Sequence, residues 1–169
     1  MNFLADKNHI LEQKRQQIKK WFVTKRAEVT LPIYGSVDIR DADWKVAVVD
    51  ANHFPAGFNN ISKEDEPLIS QLLREHINKM HKGCTWVHLY PESHTRNPAY
   101  AENVSTIKRL LEAGGFRCTV GSPELNGHGS IDTLSFPLKL VDVETIDDGL
   151  LIDGEKPCLI LLNNDLTSG

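Results

Sequence analysis

A chain of 169 residues that is 40% hydrophobic and 25% charged can form one soluble domain with a full core. No apolar stretch approaches the length needed to span a bilayer and the N-terminus lacks a signal-peptide core, so the chain is expected to be cytoplasmic, with no membrane partner. The formal charge of −4 is uneven: residues 1–30 hold seven Lys or Arg against three Asp or Glu, giving +4 and leaving −8 for the rest. An acidic body without interleaved basic and aromatic side chains argues against a nucleic-acid groove.

Residues 1–30 form a basic amphipathic helix in which Ile10, Leu11, Ile18, Trp21 and Phe22 make a packing stripe. Thr30 and Pro32 close it, and residues 31–169 make up the second segment. Tyr34–Arg40 reads as a strand or extended loop that alternates Ser36, Asp38 and Arg40 onto one face. A hydroxyl, a carboxylate and a guanidinium suit an amino acid's charged groups, although spacing alone favours a plain polar outer face.

Trp44–Val49 is a short apolar run that reads as a buried parallel strand. It ends in Asp50–Asn60, a turn-rich segment dense in amides, with Asn52, Asn59 and Asn60 among them. Ser62 with Asp65 resembles a capping signal for a helix whose core stripe is Leu68, Ile69, Leu72, Leu73, Ile77 and Met80. Thr85–Tyr90 is β-branched and aromatic, and Tyr100, Val104, Ile107 and Leu111 follow at helical spacing.

Between them lies Pro91-Glu92-Ser93-His94-Thr95-Arg96-Asn97-Pro98, which reads as a ligand-binding loop. Asn97 is a good N-cap and Pro98 a good first helical residue. The free N–H groups of that helix start favour an anion, and Arg96 adds a forked donor for carboxylate or phosphate. Gly114-Gly115 ends the helix, and Phe116–Gly121 resumes as a strand.

His128, in the loop that follows, reads as exposed rather than catalytic. Asp148-Gly149 and Asp153-Gly154 predict tight turns and a small antiparallel addition to the sheet. Cys158–Leu162 is an apolar strand that runs into Asn163-Asn164-Asp165. The polar clusters thus all follow strand-like runs, at the end where open α/β sheets bind ligands.

Cys84, Cys118 and Cys158, an odd number at irregular spacing, predict reduced core thiols. His76, His81 and Cys84 lack the second pair that a four-ligand metal site requires. No metal ligand and no catalytic residue is assigned.

The segments YGSVDIR, VDANHFPAGFNN, PESHTRN and LLNNDL resemble, in this order, the proteobacterial glutamate-cysteine ligase family of the iron-oxidiser type. The set is specific where single phrases are weak. The resemblance covers about Pro32 to the last residue and implies an α/β, Rossmann-like three-layer N-terminal domain of an ATP-grasp-type ligase. Its sheet would be mostly parallel with a small antiparallel addition. The chain is shorter than that family and ends before its ATP-binding region, in line with the absence of a glycine-rich phosphate cradle. Catalytic competence of this chain alone is therefore not expected.

The activity implied is formation of γ-glutamylcysteine for glutathione biosynthesis. ATP, with magnesium, phosphorylates the glutamate side-chain carboxylate, and the cysteine amine attacks the acyl phosphate. Neither cofactor is expected to bind this chain strongly. Arg96 and Arg40 are assigned to substrate carboxylates, and Asp50, Glu92 or Asp165 to an ammonium group. Ser36, Asn52, Asn59, Asn60, Thr95, Asn97, Asn163 and Asn164 orient polar atoms, with His94 secondary. One alternative is a truncated, non-catalytic module that binds an amino-acid-like ligand. Another, nucleotide or sugar-nucleotide binding, rests on fold analogy alone. An apolar C-terminal strand without its covering layer would favour self-association, so a homo-oligomer is a possible partner state.

Overall fold

The computed structural model describes residues 3–93 and 97–164. The chain divides into two compact units, residues 1–32 and 33–169. The first contains the helix α1 (Phe3–Ala27), with an Arg15–Glu12 ion pair along it and a Lys25–Glu28 pair at its end. Its expected packing stripe is not buried: Ile10, Leu11, Trp21 and Phe22 are all exposed and Ile18 is half-buried.

In the second unit, β1 (Ser36–Asp41) and β2 (Val46–Asn52) form an antiparallel hairpin. This corrects the expectation of a buried parallel strand at Trp44–Val49. The apolar run pairs with the strand just before it, and Val46, Val48 and Val49 stand exposed. After α2 (Glu66–Met80) come β3 (Trp86–Pro91), α3 (Pro98–Ala113) and β4 (Arg117–Val120). Four short strands follow in two antiparallel pairs: β5 (Ser130–Ile131) with β6 (Leu138–Lys139), and β7 (Glu144–Ile146) with β8 (Gly149–Leu151). The strand β9 (Leu159–Asn163) then returns to lie parallel to β3, giving a three-stranded parallel sheet of order β4-β3-β9.

Alternation along β3 explains how this small sheet is covered on both sides. Val87 and Leu89 pack with Leu73, Ile77, Val104, Ile107 and Leu111 of the helices. Trp86 and Tyr90 belong to a second cluster with Val143, Leu150 and Ile152. The layers are thus helices, parallel sheet and the β7–β8 segment, with β5 and β6 packed on the helix side, a mixed α/β fold in which parallel strands are a minority.

The helix ends follow local chemistry. The Asn97 side chain accepts from Ala99 N–H at 3.0 Å, and Pro98 occupies the first turn. At the far end Gly115 takes φ +96°, Gly115 N–H bonds Glu112 O and Phe116 N–H bonds Leu111 O, a Schellman closure. In α2, Leu73 and Ile77 are buried as expected, whereas Leu68, Leu72 and Met80 are about half exposed. The stripe is narrower than its periodicity suggests because α3 covers only one side of α2.

The cysteines differ from expectation. Cys84 and Cys158 stand at the entrances of the neighbouring strands β3 and β9, with Cα atoms 5.6 Å apart, and are joined as a disulfide. Parallel pairing brings the two entrances together across 74 residues of sequence, which irregular spacing does not reveal. Both sulfurs lie near Trp86 O, at 3.6 and 2.9 Å. Cys118 alone is a free buried thiol, and burial pushes its pKa up to about 12.

Candidate functional site

The carboxyl ends of β3 and β9 meet a network of buried amides. Asn103 on α3 and Asn163 at the end of β9 are fully or almost fully buried. A buried amide is costly unless its donors and acceptors are met, and here they are. Asn103 Oδ1 accepts from both Gly57 N–H and Phe58 N–H at 2.9 Å, and its Nδ2 donates to Asn163 Oδ1 at 3.2 Å. Asn163 Nδ2 in turn donates to Pro55 O at 3.3 Å. Two helix- and strand-borne amides therefore pin the Pro55–Phe58 loop, where Gly57 supplies φ +117°.

Two tyrosines complete the frame. Tyr34 donates to Leu162 O at 2.6 Å, and Tyr100 donates to Asn163 O at 2.7 Å while accepting from Glu92 N–H at 2.9 Å. Burial raises both phenol pKa values, that of Tyr34 to about 12. Both hydroxyls therefore stay protonated donors at neutral pH. Tyr100 fixes the backbone of Glu92 directly against the end of β9.

A cavity of about 600 Å³ opens beside this frame, lined by Gly57, Asn59, Asn60, Glu92, Asn97 and Tyr100 among others. Glu92 is the ionisable carboxylate in the lining, half-buried, with amides around it. Such a surface offers an acceptor for an ammonium group and neutral donors and acceptors for polar atoms.

The predicted site residues divide into four groups. Asn59, Asn60, Glu92 and Asn97 line the cavity together, with Asn97 partly committed to its capping bond. Asn163 lies beneath as a structural anchor, and Asn164 is half-buried next to it. Ser36, Arg40, Asp50 and Asn52 lie on the hairpin, where Ser36 pairs with Asn52 at its root and Arg40 pairs with Ala47 further out. At about 3.3 Å per residue, Arg40 is roughly 13 Å beyond Ser36 along the strand, and the hairpin residues do not line the cavity. His94, Thr95, Arg96 and Asp165 lie outside the described residues.

Sequence reasoning missed the part played by Asn103 and Tyr34 and treated Tyr100 only as packing. The available signal was Asn103 itself, an amide inside the apolar stripe Tyr100-Val104-Ile107. His88, also unassigned, is fully buried in β3. It bonds Thr119 Oγ1 through Nδ1 at 2.9 Å and Gly121 O through Nε2 at 3.0 Å. A carbonyl only accepts, so Nε2 carries the proton, and burial lowers the pKa to about 4. His88 is a satisfied neutral core residue.

The nucleotide and magnesium implied by the resemblance do not fit the described residues. No group of three His, Cys, Asp or Glu side chains among them is placed to hold a metal ion. Among the described lining residues the charged group is the Glu92 carboxylate, which disfavours a polyphosphate. Among the described residues no helix is long and apolar enough to cross a membrane.

No curated protein gives a significant match. A crystal structure at 1.90 Å from Methylobacillus flagellatus KT, of a protein assigned provisionally as a gamma-glutamylcysteine synthetase, is 34% identical with a TM-score of 0.86. The match covers 94% of this chain and 38% of that one, so this chain spans well under half the length of its solved relative. Residues 8–169 match the model of the GshA glutamate-cysteine ligase family, and the chain belongs to that family.

Proposed function

We propose that this chain is the N-terminal, substrate-holding part of an ATP-dependent glutamate-cysteine ligase of the proteobacterial iron-oxidiser type, on the ATP-grasp branch. It would form γ-glutamylcysteine from glutamate and cysteine in the cytoplasm. The observation that carries the reading is the Asn103–Asn163 network, which holds the Gly57–Asn60 loop and Glu92 around one cavity at the strand ends. In this proposal Glu92 receives a substrate ammonium group, Asn59 and Asn60 orient polar atoms, and Arg96 supplies a forked donor to a substrate carboxylate. The chain positions substrate, a contribution worth roughly 7–11 kcal/mol of a barrier in the best cases. ATP and magnesium are assigned to polypeptide outside this cavity, which their poor fit here supports.

Disruption of the coding sequence in the source cell tests the reading. Cellular γ-glutamylcysteine should fall, wild-type sequence should restore it and Glu92→Gln should not; restoration by both would remove the role given to Glu92. For Arg96, Arg96→Ala should weaken glutamate binding with the unfolding midpoint unchanged, and unchanged affinity would remove that assignment. The non-catalytic reading, a module that binds an amino-acid-like ligand, draws its support from the same poor fit to nucleotide and metal. A wild-type chain that binds glutamate while its disruption leaves γ-glutamylcysteine unchanged would favour it.

A further inference from the structure

The β1–β2 hairpin is strongly two-faced. Its register sets Val37 opposite Ala51, Ile39 opposite Val48 and Asp41 opposite Val46 on one side, and Ser36–Asn52, Asp38–Asp50 and Arg40–Ala47 on the other. The first side is apolar and open: Val37, Ile39, Val46 and Val48 are 52–63% exposed. An isolated two-stranded ribbon is marginal in water, and contiguous exposed aliphatic side chains mark a surface that is covered in the working molecule. Asp38, Arg40 and Asp50 sit on the opposite face, and Asp41 is a charge at the outer end of the apolar one, so one side is suited to packing and the other to polar contacts.

We propose that this apolar face seats the remainder of a ligase polypeptide, the portion corresponding to the part of the Methylobacillus chain that this one does not match. The inference rests on the ligase reading above. Three observations point to that occupant. The solved relative carries the same fold, at a TM-score of 0.86, joined to a further body, since the match covers 38% of its chain. The face is too small for a self-standing dimer: its four side chains amount to no more than about 400 Å² even if fully covered, against about 800 Å² per partner in a stable complex. A face of that size suits a body held nearby by the rest of its contacts, for which little association entropy remains to be lost. Finally, the segments flanking the hairpin are tied to the candidate site, through Tyr34 Oη to Leu162 O and Asn163 Nδ2 to Pro55 O. Seating the apolar face would therefore fix the polar face, with Ser36 and Asn52 at its root, relative to the cavity.

The test replaces Val48 with the photo-crosslinker benzoylphenylalanine in the protein as expressed in its source cell and identifies the crosslinked peptides by mass spectrometry. The proposal predicts peptides that align with the unmatched portion of the Methylobacillus chain. Crosslinks to α1, to a second copy of residues 1–169 or to an unrelated protein would overturn it, as would none at all. In parallel, the Ile39→Lys, Val48→Glu double variant, which sets opposite charges on a directly opposed pair, should lower γ-glutamylcysteine formation about tenfold or more. Thermal unfolding of the 169-residue chain should not move, because both side chains are already exposed. Unaltered synthesis by the variant would overturn the proposal. Absence of synthesis by wild type would instead overturn the ligase reading, which the crosslinked peptides do not depend on.

Discussion

Asn103, which no sequence motif singles out, connects as many parts of the candidate site as Asn163 does. Its carbonyl oxygen satisfies two backbone N–H groups of the Gly57-Phe58 loop, so Asn103→Ala leaves both without their acceptor. The expected cost is about 2–3 kcal/mol, read as a lower denaturant midpoint at unchanged slope. Glutamate affinity should fall with it; an unchanged midpoint would show that water replaces the amide. Gly57 is held to glycine by conformation and not by space: a Cβ there would meet only Asn60 Nδ2 at an ordinary 3.4 Å, but φ +117° strains any L side chain. His88 gives a signed pH dependence. Its folded pKa of about 4 lies below the unfolded value near 6.5, so between those values the unfolded chain binds a proton that the native chain does not. Stability is therefore full above about pH 6.5 and declines as pH falls toward 4, by at most about 3 kcal/mol from this group. Denaturation curves across that range, with His88→Gln as the reference, should show the slope reduced in the variant.

Among the elements, those punctuated by local chemistry were legible from sequence. Asn97-Pro98 and Gly114-Gly115 bracket α3, and Asp153-Gly154 makes its turn at the Ile152–Glu155 bridge. The partners of apolar runs were not legible. Val46–Val49 is as aliphatic as Leu159–Leu162, yet one lies in an exposed antiparallel hairpin and the other in the parallel sheet, because periodicity reports what a strand is made of and not what covers it. The same limit applies to α2, where Leu68 and Leu72 continue the stripe but not the core. The candidate site was half legible: polar loops after strand-like runs marked Asn59, Asn60 and Glu92 as candidates, while the buried bonds that organise them required the fold. The disulfide is an element-level feature, since it joins the entrances of β3 and β9. Its 74-residue separation predicts a stabilisation of roughly 4 kcal/mol over the reduced chain in the loop-entropy account. Cys84→Ser should lower the denaturation midpoint in oxidising buffer and leave it unchanged under a strong reductant; equal midpoints in both would show that the bridge does not constrain the chain.

On the scale of the whole molecule, the second unit has a three-stranded parallel sheet, two covering helices and a cavity where β3 and β9 end, and its family is that of glutamate-cysteine ligases. Among the described residues the cavity offers one carboxylate framed by amides, and the hairpin and α2 leave aliphatic side chains open to solvent. Those features are coherent for a substrate-holding part of a larger ligase. The central claim is that the Glu92 cavity holds an amino-acid substrate, and calorimetric titration of the chain with glutamate and with γ-glutamylcysteine, beside Glu92→Gln, tests it most directly. The account predicts saturable binding to the wild-type chain that weakens about tenfold or more in the variant, consistent with loss of a charged hydrogen bond worth about 1.5–3 kcal/mol. Equal binding by both proteins, or none by the wild type, would contradict it.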